Sequence, residues 1–269
     1  MLTTSRLRTL LKENSLASLQ ESFQHTLKKH PSDHEARRAL ASLWCIEEDW
    51  DKALLQADTL VKLEDAMSNQ GELLKNLILS EMMRKKVLAG ERKASQLEET
   101  SPAWLALLHQ ANQACFREEH EKADELRFQA FELAPVTSGQ SEKLGAFEWI
   151  ADGDGRLGPV CEFICAGGYR WVPFEHIRSL TVGAPQSLLD LLWIPATLDT
   201  GARKWNGYLP ARYPGTAQSQ SMKLGDETHW HQQSLMLTIG EGRKMWVTEQ
   251  DEFSIMESGK LTFDVDESR

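Results

Sequence analysis

Residues 147–177 read FEWIADGDGRLGPVCEFICAGGYRWVPFEHI, followed after a polar break by LLDLLWIPATLDTG at 188–201 and LPARYPG at 209–215. Ahead of this stretch, apolar residues recur every three or four positions. Within it they alternate, glycine and proline cluster, and tryptophan returns at Trp149, Trp171, Trp193 and Trp205. Such a change of period marks the passage from helices to strands. The chain is therefore expected to be α+β, an N-terminal tetratricopeptide-like array of helical hairpins followed by a small antiparallel β-rich domain. The boundaries fall at 1–136 for the helical domain, 137–143 for a linker and 144–269 for the β-rich domain. The linker is placed at Thr137-Ser138-Gly139-Gln140-Ser141, a polar, glycine-containing run behind Pro135.

Strands are expected over 147–151, 160–165, 169–172, 192–198, 204–209, 234–239, 244–248, 253–256 and 261–263, with a short helix near 185–193. Asp152-Gly153-Asp154-Gly155, Gly167-Gly168 and Gly240-Glu241-Gly242 read as tight turns between them. The acidic end, Asp264 to Arg269, is expected to fray.

In the first half, Leu7, Leu10 and Leu11, then Leu16, Leu19, Phe23 and Leu27, follow a helical period. Lys28-Lys29-His30-Pro31 suits a helix end, and Asp33 suits the next N-cap. Two hairpins follow, at 34–65 and 104–135. They place Ala41, Ala53 and Ala57, and then Ala111, Ala114, Ala123 and Ala130, where paired helices approach closely. The spacing fits the ~34-residue tetratricopeptide period. The signature residues of that repeat are missing, and Gly71 to Leu88 departs from the period. Trp44, Trp50 and Trp104 either line a concave face that would accept a peptide or helix, or fill the space between hairpins.

The formal net charge is −10 and the pI about 5.4, which disfavours nucleic acid as a partner; the basic runs Arg37-Arg38 and Arg84-Lys85-Lys86 sit inside helical patterns and read as solvated faces. No secretory signal is recognisable and no run approaches the ~18 apolar residues of a membrane span. Cys45, Cys115, Cys161 and Cys165 form no disulfide framework. These features together suggest a cytoplasmic, reduced protein that does not contact membranes.

Catalytic and metal motifs are weak. Asp152-Gly-Asp154-Gly-Arg156 opens like a calcium loop, but arginine, leucine and phenylalanine stand at Arg156, Leu157 and Phe163, where such a loop needs an oxygen ligand, glycine and glutamate. Cys161 and Cys165 lack a second ligand pair, and His229-Trp230-His231 lacks a well-spaced third ligand. Gly240-Glu241-Gly242-Arg243-Lys244 has neither the spacing nor the hydroxyl of a phosphate loop, and no nucleophile elbow occurs. The expectation is a protein without cofactor or metal that is not an enzyme.

Taken in order, AFEWIADGDGRLGPVCEFICAGGYRWVPFEHI, DLLWIPA, LPARYPG and GEGRKMWV resemble the ImpE family, also called SciE-type or TagJ proteins, accessory proteins of bacterial type VI secretion systems. The resemblance rests on Trp149, Asp152, Arg156, Gly158, Pro159, Glu162, Gly168, Tyr169, Trp171, Pro173, Asp190, Trp193, Pro210, Tyr213 and Gly242. It implies a cytoplasmic adaptor that binds the N-terminal helix of the small contractile-sheath subunit (TssB) and is linked to sheath handling by the AAA+ unfoldase ClpV. Helix recognition draws on tryptophan, tyrosine and arginine. The partner-binding candidates are accordingly Trp44 and Trp50 on the helices and Arg156, Tyr169, Trp171 and Trp193 in the second half. Two other readings compete. One is a scaffold or chaperone for another secretion component. The other is a small-molecule site where His176, His229, His231, Glu162 or Asp190 converge.

Overall fold

The helix signals act where the residues place them. The computed structural model describes residues 9–11, 13–63, 65–98, 101–215 and 219–264; Leu7 and most of the acidic end lie outside them. Ser15 caps α1 (Leu16–Lys29) by accepting from the Ser18 N–H, and Asp33 caps α2 (His34–Ile46) by accepting from Ala36. The helical half continues with α3 (Trp50–Leu63), α4 (Asp65–Leu88), α5 (Ala103–Phe116) and α6 (His120–Leu133).

The hairpins α2–α3 and α5–α6 repeat one another in detail. In each, a three-residue connection carries a non-glycine residue in the left-handed region, Glu48 (φ 58°) and Glu118 (φ 62°). The next residue returns its N–H to the helix, Asp49 to Trp44 and Glu119 to Ala114. Ala41 and Ala53 in the first pair, and Ala111 and Ala123 in the second, are fully buried. Side chains no larger than a methyl group let these helices pack closely.

The second half is antiparallel throughout its named strands. An eight-stranded sheet has the order β2-β1-β14-β6-β7-β8-β4-β5. Its members are β1 (Gly139–Ser141), β2 (Gly145–Phe147), β4 (Val160–Cys165), β5 (Gly168–Pro173), β6 (Ser179–Val182), β7 (Trp193–Asp199), β8 (Lys204–Pro210) and β14 (Lys260–Phe263). Two three-stranded sheets complete it, β13-β12-β3 and β10-β11-β9. They comprise β3 (Ile150–Asp152), β9 (Arg212–Tyr213), β10 (Thr228–Gln232), β11 (Thr238–Arg243), β12 (Met245–Thr248) and β13 (Glu252–Ser254). A short helix α7 (Gln220–Lys223) precedes β10.

Three local expectations are corrected. Gly139–Ser141, expected as linker, is strand β1, paired with β14 and β2; a Cβ on Gly139 would lie 2.4 Å from the Thr262 carbonyl oxygen. Gly240-Glu241-Gly242 is not a turn but the middle of β11. A Cβ at Gly240 would strike the Tyr213 ring, and Gly242 has φ +84°. Close approach, not reversal, explains these glycines. Asp152-Gly153 does not join β3 to β4 in a hairpin either, since β3 pairs with β12. The β4–β5 turn is Ala166-Gly167, both at positive φ as a two-residue hairpin turn demands.

Glu118 is exposed, so its left-handed conformation costs about 1–2 kcal/mol that glycine would relieve, less the roughly 0.5–1 kcal/mol of glycine's own chain entropy. Glu118→Gly is therefore expected to raise stability by about 0.5–1 kcal/mol in urea denaturation. Glu48→Gly should instead destabilise, because the Glu48 carboxylate accepts from Arg212 and from the Gly215 N–H.

Candidate functional site

Strand β4 is buried on both faces. Cys161, Phe163 and Cys165 point into the core of the β half; Val160 and Ile164 join a second core shared with the helices. Period-2 alternation places Glu162 between Val160 and Ile164, against the helices. There α4 supplies Arg84, whose Nε and Nη2 donate to the two Glu162 oxygens at 2.7 and 2.8 Å. Its Nη1 donates to Glu81 Oε1 at 2.7 Å and to the Arg212 carbonyl at 2.9 Å. Glu81 lies one helical turn before Arg84, so both reach the same side of α4.

Most of the aromatic candidates end in this junction. Trp193 donates Nε1–H to Glu81 Oε2 at 3.0 Å, and Trp50 packs on Trp193 with ring centroids 6.2 Å apart. Tyr169 donates its hydroxyl to Glu162, and Trp171 donates to the Tyr169 oxygen at 2.6 Å. The Trp171 ring stacks on His109 of α5 at 4.4 Å. Tyr169, Trp171 and Trp193 are at most 2% exposed. As a partner surface these three are therefore corrected: large amphipathic rings were drawn inward because their polar tips find partners there. Trp44 is also buried, beneath the Lys52 ammonium, and Trp50 is half-buried.

Arg156 belongs to a second, adjoining set. Its guanidinium grips Asp154, which also accepts from the Arg156 and Gly240 N–H groups. The backbone around it is held by the helices: Arg127 donates to the Gly155 carbonyl and Asn112 to the Arg156 carbonyl, both at 3.0 Å. Sequence reasoning missed Glu81, Arg127, Arg212 and Lys244 as site residues, and its reading of Arg84-Lys85-Lys86 as a solvated face is corrected for Arg84, which is 1% exposed because two buried carboxylates face it. The one signal for Glu81 and Arg84 was a charged pair, three apart, on a helix long enough to be buried along one side.

The electrostatics are those of a sealed network. Burial would raise the Glu162 carboxyl, but Arg84 and Lys244 outweigh it and hold it well below the usual carboxylate range. Burial likewise opposes the Arg84 charge, and Glu162 and Glu81 overcome it. Arg212 reaches back to the Ile46 carbonyl and to Glu48, joining β9 to the α2–α3 turn. The residues of the small-molecule reading are dispersed. Glu162 is sealed in, Asp190 caps the 3-10 turn 188–191, His176 faces Glu98, and His229 and His231 lie exposed on β10. Among the described residues, no group of three or more ligating side chains could hold a metal ion.

Removing one member of a buried ion pair strands its partner at a cost of about 3–5 kcal/mol. Arg84→Met is expected to lose that much stability in urea, and the wild-type halves should unfold in one transition, with circular dichroism and tryptophan fluorescence coincident. A second outcome concerns His109, whose pKa burial lowers to about 4. The unfolded chain takes up that proton first, so the stability is full above about pH 6.5 and is lost as pH falls. Between pH 7 and pH 5 the loss should be about 2 kcal/mol, and His109→Gln should remove that part of the slope.

Comparisons with known proteins cover both halves. A family model described as the ImpE protein matches residues 145–262. The type VI secretion system accessory component TagJ of Pseudomonas aeruginosa is 32% identical over 259 residues, covering 95% of this chain and 90% of its own length. A crystal structure of a Vibrio parahaemolyticus protein superposes with a TM-score of 0.88 over 97% of this chain and 98% of that one, at 25% identity. Since the likeness runs through the helices, the junction and the sheets alike, the chain belongs to the ImpE/TagJ family of type VI secretion accessory proteins.

Proposed function

We propose that this protein is an adaptor that binds the N-terminal helix of the small sheath subunit, TssB, and through it connects the sheath to the ClpV unfoldase. The observation that carries the reading is the whole-length likeness to an accessory component of the secretion system. The arrangement of the chain favours binding through the helical half, because Tyr169, Trp171 and Trp193 of the β half are buried in the junction. We read the repeated hairpins as tetratricopeptide-like, an architecture whose grooves accept helices. Between α1, α2 and α3 lies a groove of about 250 Å³ lined by Gln24, Leu27, Lys28, Arg37, Leu40 and Gln56. It offers an apolar floor with polar walls, which suits the apolar face of an amphipathic helix. Among the described residues no helix is long and apolar enough to cross a membrane.

The test is a titration of the whole protein with a labelled peptide of that sheath helix beside a scrambled control. Saturable binding of the true peptide alone is expected, weakened at least about tenfold, roughly 1.4 kcal/mol, by Gln24→Trp with Lys28→Glu, two exposed changes that fill and recharge the groove. Absence of binding by folded wild-type protein rejects the sheath reading in favour of a scaffold for another secretion component. Full affinity in the double variant rejects the groove.

A further inference from the structure

Beneath the junction lies a lysine with two carboxylates. Lys244, between β11 and β12, is 1% exposed in its side chain, and Asp152 and Glu162 are wholly buried in theirs. Trp246 pairs with Asp152 across β12 and β3, so Lys244, two residues earlier, is the diagonal neighbour of Asp152 on the same face. Its Nζ forms ion pairs with Asp152 Oδ2 and, at 2.6 Å, with Glu162 Oε2. Neither Nζ nor Oδ2 has a hydrogen bond of normal geometry. The other Asp152 oxygen, Oδ1, accepts from the Asp154 N–H at 3.0 Å and lies 2.9 Å from the Tyr213 hydroxyl, whose one proton it shares with the Met245 carbonyl at the same distance. The Tyr213 ring lies 4.7 Å from Nζ.

We propose that Lys244 and Asp152 become joined by an intramolecular amide bond, with Glu162 as the proton carrier. The parts required for acyl transfer are brought together: an amine paired with an oxygen of the carboxyl group it would attack, two donor groups beside the oxygen that becomes negative, and a carboxylate beside the amine. Burial disfavours the Lys244 ammonium, but Asp152 and Glu162 outweigh it, so the ammonium is the resting form. The reactive pair arises when one proton passes from Nζ to Asp152, whose carboxyl burial lifts to about 6 against the pull of Lys244. The Nζ lone pair then attacks Cγ. Glu162 Oε2 takes the second amine proton, and the tetrahedral oxyanion rests on the Tyr213 hydroxyl and the Asp154 N–H. The Cγ–Oδ2 bond breaks as Glu162 returns its proton, and Oδ2 departs as water. One amide and one water replace an amine and an acid, without oxidant or cofactor. The bond would tie β3 to the start of β12 and close the intervening chain into a loop, constraining the unfolded state as a disulfide does.

The test is the intact mass of the folded wild-type protein, followed by tryptic mapping. A mass lower by one water is expected, with trypsin leaving Lys244 uncut and the peptides of Asp152 and Lys244 recovered as one branched species. Asp152-Gly153 and Asp154-Gly155 are also prone to cyclic imide formation, which loses the same water. Hydroxylamine opens an imide and leaves the amide intact, so the loss must survive that treatment. Lys244→Arg, which keeps the charge, should restore the full mass. Full sequence mass in folded wild-type protein overturns the proposal, as does a water loss that maps within one linear peptide or persists in Lys244→Arg. The wild-type mapping decides the question even where the variant does not fold.

Discussion

The Arg84–Glu162 pair holds together what the sequence presents as two units. A guanidinium on α4 and a carboxylate on β4 meet where neither can reach water. Each would be costly to bury alone, and each is tolerable only because the other is there with good geometry. Four of the five Arg84 donors are used, on two carboxylates and a carbonyl. The surrounding polar tips then follow: Trp193 caps the free oxygen of Glu81, Tyr169 shares Glu162, and Trp171 shares Tyr169. A slip of one residue along β4 would turn Glu162 into the apolar interior of the sheet and present Cys161 or Phe163 to Arg84. The ion pair thus specifies register as well as attachment.

This arrangement changes what the family resemblance means. Asp152, Glu162, Tyr169, Trp171, Trp193 and Tyr213 are among the residues through which the chain resembles the ImpE family, and all lie in or beside the buried network. They describe how the halves of the molecule are joined. In the proposed adaptor role a partner would meet other residues, on the outer faces of the helices. The buried interior sets the position of one half relative to the other.

The helical half shows a different economy. Its two matching hairpins reach the same turn geometry with Glu48 and Glu118 in place of glycine. For Glu48 the strain has a use, since its carboxylate receives Arg212 and the Gly215 N–H from the β half. Arg127, which follows Ala123 by one turn on α6, similarly reaches the Gly155 carbonyl. Residues that would be solvent-facing in an isolated hairpin array have become the helices' contribution to the junction.

Periodicity alone was enough to divide the chain into a helical first half and an antiparallel second half, and to locate the Asp33 cap and strands such as 160–165. These are local properties, written in the spacing of apolar residues and in side chains that reach only a few positions along the backbone. The sequence also carried the family resemblance through the order of its tryptophans, glycines and acidic residues. It could not separate an exposed tryptophan from one buried at a junction, because both have the same neighbours in sequence. Nor could it show that Gly240 and Gly242 serve the ring of Tyr213 and the path of β11, or that Gly139 begins a strand. Pairing of Arg84 with Glu162, and of Lys244 with Asp152, depends on segments far apart in the chain. Only the tertiary structure decides such meetings, since the energy that makes a buried charge tolerable exists only when both partners have arrived.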